Sequence, residues 1–343
     1  MRRSRLGSLG LLFALAVGAA ATAGTSDPMG RGDSRGDLSG LPEGERPWWP
    51  SRYGPDDQIG TLNEITPEVT AKAARLVRQG RTLDLGRVLD SDTPKFPGRY
   101  WHQSVDVSAH YPNPRRADSD GIGWGRNRVN WIGELQTGTF QVGTQLDSIG
   151  HLQIGQRFYN GWTVADLVEP WGLGRFGMET VPPIVTRGVL VDMAAQAGVA
   201  RLDKGQVIGP AEFQAALKAQ GLSLAPGDAV LIHTGWGGLW GKDNPTFLSG
   251  EPGPGLALIE WLHERRVALV GMDTWSIGPV PGEDPGRPFQ VPQTMYVKMG
   301  LFGLENLTTE VLVEAGVQEF LFVLTHAKTR GSTAAVIAPA AVY

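Results

Sequence analysis

Four strand-length runs in this chain are almost entirely apolar: GVLVDMA (188–194), DAVLIHTG (228–235), VALVGMD (267–273) and EFLFVLTHA (319–327). A strand with no polar face has to be covered on both sides, so helices must flank a central sheet above and below. Segments with helix punctuation lie between these runs. Thr66, Pro67 and Glu68 supply a capping hydroxyl, a proline at the first helical position and an acid in the first turn, and Gly80 is a left-handed stop. The stretch 209–221 opens with Pro210 and closes with Gly221, 255–266 has apolar residues at helical spacing, and 308–315 reads as a short helix. A further strand is expected over 82–89. The alternation predicts a single α/β domain over 47–343, with a mostly buried central β-sheet covered by helices and long loops between 90 and 180.

The 343 residues are 41% hydrophobic and 19% charged, ordinary values for a globular chain. A net charge of −4 leaves no basic footprint, so nucleic acid is not an expected partner. Arg2, Arg3 and Arg5 precede an apolar run (9–21) that ends in Ala21-Thr22-Ala23. This is the three-part pattern of a secretory signal peptide over 1–23, too short to span a membrane. Residues 24–46, rich in Gly, Asp, Ser and Pro, read as a flexible linker. The expectation is a periplasmic or secreted protein with no membrane attachment once the signal is removed. There is no cysteine. An exported chain without disulfides needs a large core, and thiolate chemistry is unavailable to it.

Common nucleophile motifs are missing. The G-x-S-x-G pattern occurs only at 32–36, in a Gly- and Ser-rich stretch that follows no strand run, so it makes no nucleophile elbow, and no phosphate-cradling glycine loop follows a strand. The segment FQVGTQLDSIGHLQIG (140–155) concentrates what remains: Gln141, Gln145, Asp147 and His151 among several glycines. In an extended segment, residues two apart share a face, so Gln141, Gly143, Gln145 and Asp147 would line one side. A carboxylate with two amide oxygens is a hard donor set, suited to a divalent cation. Asp147 capping a turn through its own backbone is the competing reading, and both stay open on spacing alone.

These residues resemble the signature of the cyclase family of metal-dependent hydrolases, which includes kynurenine formamidase and isatin hydrolase. The family reads H-x-G-T-H-x-D-x-P-x-H where this chain has Q-V-G-T-Q-L-D-S-I-G-H (141–151). PDDQIGTLNEITPE, GRTLDL, VPPIVTRGVLVDM, the stretch 227–255, VGMDTWSIGPVP and GLFGLENLTTEVL also look like family segments, in order along 53–340. The resemblance implies the cyclase fold and hydrolysis of a small-molecule amide, lactam or related carbonyl bond. The nearest family activity is arylformamidase, the hydrolysis of N-formylkynurenine in tryptophan breakdown. It implies a divalent metal, manganese or zinc, held at the positions of Gln141, Gln145, Asp147 and Glu305. His151 and Glu305 would then transfer protons. Two ligand histidines are glutamines here, and Pro292 stands where a further family histidine is expected. A metal-free, non-catalytic small-molecule-binding protein of the same fold is the alternative. The family also implies a homo-oligomer, a dimer or tetramer, and a small aromatic substrate.

Other residues stay in view. His233 and Asp273 end strand runs, where sites collect in α/β sheets, and His326 ends the last one. Each is also explained by bonding to nearby backbone. His102 and His110, in a long aromatic loop, are candidate replacement ligands. Trp101, Trp124, Trp131, Trp236 and Trp275 are candidate pocket walls.

Overall fold

The computed structural model describes residues 35, 47–107, 126, 127, 129 and 131–343. The signal segment 1–23, the linker 24–46 apart from Arg35, His110 and Trp124 lie outside the described residues.

The principal sheet is built from β1 (Thr82–Asp84), β4 (Gln145–Asp147), β5 (Ile184–Asp192), β6 (Ala229–His233), β7 (Leu269–Met272), β8 (Phe302–Glu305), β9 (Glu319–Leu324), β10 (Ala334–Val336) and β11 (Ala340–Val342). A separate ribbon pairs β2 (Trp101–Val107) with β3 (Gly133–Gly138). Strand order in the nine-stranded sheet is β1-β11-β9-β5-β6-β7-β8-β4-β10. The four strands β5 to β8 are parallel neighbours, and antiparallel strands continue the sheet on both sides.

Both faces of the parallel strands are covered, as their apolar runs require. Along β6, Val230 and Ile232 join one buried cluster with Phe213, Leu258 and Leu262, while Ala229 and Leu231 join the other with Phe302 and Phe322. The covering helices begin where sequence placed them. Helix α1 (Pro67–Ala74) starts with Thr66 Oγ1 accepting from the Val69 amide, and α2 (Pro210–Ala219) opens at Pro210. Helix α3 (Leu256–Glu264) and the short α4 (Glu310–Ala315) complete the expected set. Among the described residues no helix is long and apolar enough to cross a membrane.

The strand expected over 82–89 stops at Asp84, whose carboxylate accepts from the Gly86 amide and turns the chain. The described residues of the region 90–180 are loop-rich, as expected, but they also contribute the β2–β3 ribbon and β4. The three-residue strand β4 is buried throughout and lies between β8 and β10.

Candidate active site

The site is organised by the register of β4 against β8. Gln145 lies opposite Glu305, and Asp147 lies opposite Gly303. Gln145 and Asp147 are two residues apart and share a face, so three polar side chains meet on one side of the sheet. Gln145 Nε2 donates to Glu305 Oε2 at 2.7 Å and to Asp147 Oδ1 at 3.3 Å. Gly303 leaves room beside Asp147, and Tyr296 fills it, its hydroxyl 3.5 Å from Asp147 Oδ2. Tyr296 comes from a π-helical turn, Met295–Met299, which follows a short helix at Gln290–Thr294. Such turns are over-represented at functional sites.

The loop before β4 is locked to the end of β8. Gly143 adopts φ +72°, and a Cβ there would fall 2.2 Å from Leu89 Cδ2. Its carbonyl accepts from Asn306 Nδ2, and Thr144 Oγ1 donates to the Asn306 carbonyl. This left-handed turn interrupts the extended face expected from 141 to 147. Gln141 therefore leaves the Gln145–Asp147–Glu305 group: its Nε2 donates to Thr333 Oγ1 at 3.2 Å and lies 3.5 Å from His151 Nδ1. A turn at 148–151, closed by the His151 amide on the Ser148 carbonyl, brings His151 back to the site.

Asp147, His151, Glu305 and Tyr296 open onto a cavity of about 230 Å³. Phe96, Trp275, Phe289, Leu152 and Pro292 form its apolar walls, and Arg99 adds a fixed positive charge. The Trp275 ring packs against Phe96 at 4.5 Å and Phe289 at 6.2 Å, both edge-on. Arg99 is held by a hydrogen bond from its Nη1 to the Gln141 carbonyl.

The electrostatics are those of crowded, buried acids. Burial pushes the Asp147 carboxyl above its usual range, against the pull of His151 and Arg99. Burial, then the Asp147 charge, pushes Glu305 well above the ordinary carboxylate range. Burial and the same two carboxylates raise the Tyr296 phenol. Like charges in one dry site do not both ionise readily, so the Asp147–Glu305 pair is built to hold a proton.

Several other sequence candidates have structural roles. Asp273 is fully buried and accepts from the Thr234 amide and hydroxyl and the Gly237 amide. His233 Nδ1 lies 2.8 Å from Thr309 Oγ1 and 3.5 Å from Asp273 Oδ2. Nδ1 of His326 bonds the neighbouring Ala327 carbonyl. His102 lies on the β2–β3 ribbon, exposed, and does not line the cavity. Of the four candidate tryptophans among the described residues, Trp101, Trp131, Trp236 and Trp275, only Trp275 lines it; Trp236 packs in a separate cluster with Phe247. Sequence reasoning missed Tyr296, Arg99 and Phe96, which reach the cavity from segments far from the signature.

A sequence profile of the Cyclase family matches residues 83–279, more than half of the chain. The protein belongs to the cyclase family. The fold agrees: a crystal structure described as a novel cyclase superposes with a TM-score of 0.75 at 28% identity, covering 85% of this chain and 98% of that one. Isatin hydrolase A from Ralstonia solanacearum shares the cyclase fold at TM-score 0.56 and 21% identity, covering 81% of this chain and 96% of its own. For isatin hydrolase A from Labrenzia aggregata, bound to benzyl benzoate, the values are 0.57 and 18%, over 82% and 100%. No curated protein matches the chain.

The divalent metal implied by the cyclase signature does not fit the donors present. Zinc selects imidazole or thiolate, and the two positions that would supply imidazole are amides. The carboxylate oxygens that face each other, Asp147 Oδ1 and Glu305 Oε2, already accept from the Gln145 amide. Among the described residues, no group of three or more His, Cys, Asp or Glu side chains is placed to hold a metal ion.

Proposed function

We propose that this cyclase-family protein is a hydrolase that opens an amide, lactam or related carbonyl bond in a small aromatic molecule. One observation carries the reading: a carboxylate pair, an imidazole and a phenol converge at one end of an aromatic-walled cavity. Phe96, Trp275 and Phe289 suit a flat ring, and burying such a ring supplies most of the binding free energy. Arg99 suits the carbonyl oxygen, where negative charge develops as water adds to the carbon.

The carboxylate pair supplies the proton traffic. Its ionised member takes a proton from the attacking water as the new C–O bond forms. As the C–N bond breaks, the leaving nitrogen receives a proton from the protonated member of the pair or from His151. The products are a carboxylate and an amine, and Arg99 suits the new carboxylate as well. Tyr296 holds Asp147 in place through its hydroxyl. No step here runs through a metal ion.

The test is a substrate panel of isatin, N-formylkynurenine, formanilide and an aryl ester, followed by carboxylate formation. Turnover of at least one aromatic amide or lactam is expected, with N-formylkynurenine representing the arylformamidase activity. Tight binding of these compounds without turnover would sink the hydrolase reading and leave a non-catalytic binding protein.

A further inference from the structure

We infer that the Gln145 side-chain amide stands in the place of a divalent cation, cross-linking Asp147 and Glu305, so that this site is built to work without a resident metal. The register of β4 and β8 sets Gln145 directly opposite Glu305 and two residues from Asp147. The amide nitrogen bridges the two facing carboxylate oxygens, at 2.7 and 3.3 Å. An ion bridging these two oxygens would have to take the place that the amide nitrogen now holds between them.

The amide cannot simply be turned to offer its oxygen. Gln145 Oε1 is buried with no hydrogen-bond partner. Turning it toward the carboxylates would give this oxygen at most the one proton held by the pair, and would leave two N–H donors unpaired in the buried place that Oε1 now fills, each a costly group. A hard ion such as Mg²⁺ or Ca²⁺ also asks for six or more oxygens, and Gln141 is already engaged with Thr333 beside His151. The positive charge that a cation would bring comes instead from Arg99, which lines the same cavity and pulls against the burial that raises both acids.

The experiment involves no substrate, so it stands apart from the hydrolase reading. Wild-type protein, purified without chelator, is analysed for bound Mn, Zn, Fe, Mg and Ca, and its melting temperature is followed with added MnCl2 or ZnCl2. The expected result is no stoichiometric metal and no upward shift. The Gln145→His variant removes the amide and completes a set of imidazole and two carboxylates; it should take up one zinc and melt higher when zinc is added. One equivalent of metal in the wild type overturns the inference, whether or not the variant folds. A folded Gln145→His protein that still takes up no zinc also overturns it, because the amide would then not be what keeps the ion out.

Discussion

At position 303 the lack of a side chain decides where Tyr296 goes. A Cβ on Gly303 would lie 2.4 Å from the Tyr296 hydroxyl, which reaches Asp147 through that gap. Gly303→Ala should therefore cost about 1–3 kcal/mol in chemical unfolding, as overpacking does, and weaken turnover by freeing Asp147. Unchanged stability would mean that the phenol is not held there. Asp147→Asn makes a different prediction. The neutral amide keeps the shape and relieves repulsion with Glu305, so the unfolding midpoint should hold or rise. Turnover should fall by roughly 10²-fold or more, the usual loss when an acid–base group is removed. A variant that unfolds earlier but keeps its turnover would contradict both halves. At this scale local spacing and a family-like signature point to Gln145 and Asp147, and the likeness of GLFGLENLTTEVL to a family segment points to Glu305. The sequence could not show Tyr296 or Arg99. Their place depends on pairing between distant strands, and the only local trace is a glycine in LFGLE.

Elements hold the site through buried polar anchors. Glu251, fully buried, accepts from the backbone amides of Trp275 and Ser276, and Trp275 Nε1 reaches the Gly250 carbonyl. One acid thus pins the loop that carries the central aromatic wall. Glu251→Ala strands two buried donors, so a loss of about 1–3 kcal/mol and a raised KM are expected, while Glu251→Gln keeps the acceptor and should be mild. Equal effects of the two variants in steady-state kinetics would count against this anchoring. Helix α3 offers a pH test. Its last turn holds His263, whose Nε2 accepts from Arg52. Burial, then the Arg52 charge, lowers this imidazole to about 4, with Glu64 pulling weakly the other way. The folded state therefore disfavours the proton that the unfolded chain binds below its ordinary value of 6.5. The stabilisation is complete above that pH and declines as pH falls toward 4. His263→Gln should flatten this part of the stability–pH curve; an unaltered slope would assign the decline to other groups. Long elements were legible in sequence because helix caps and unbroken apolar runs mark them. The strand β4 was not, since three residues carry no period, and Gly143 broke the face on which Gln141 was expected.

Across the whole molecule, the site lies where the sheet changes from parallel to antiparallel, at the β8–β4 boundary. Glu305 ends the last parallel strand, and ligands in α/β sheets collect beyond such carboxyl ends. The nearly all-apolar runs at 188–194, 228–235 and 267–273 announced this frame, because only a sheet covered on both faces can bury them; the fourth, on antiparallel β9, buries alternate residues fully and the others in part. What the frame carries is a cyclase-family site in which an amide bridges two acids beside a fixed arginine. Turnover should therefore survive removal of metal. The direct measurement is hydrolysis of the best aromatic amide or lactam by protein exhaustively treated with EDTA and dialysed, with and without added Mn²⁺ or Zn²⁺. Equal rates in all three conditions are predicted. Activity abolished by EDTA and restored by one equivalent of either ion would contradict the account.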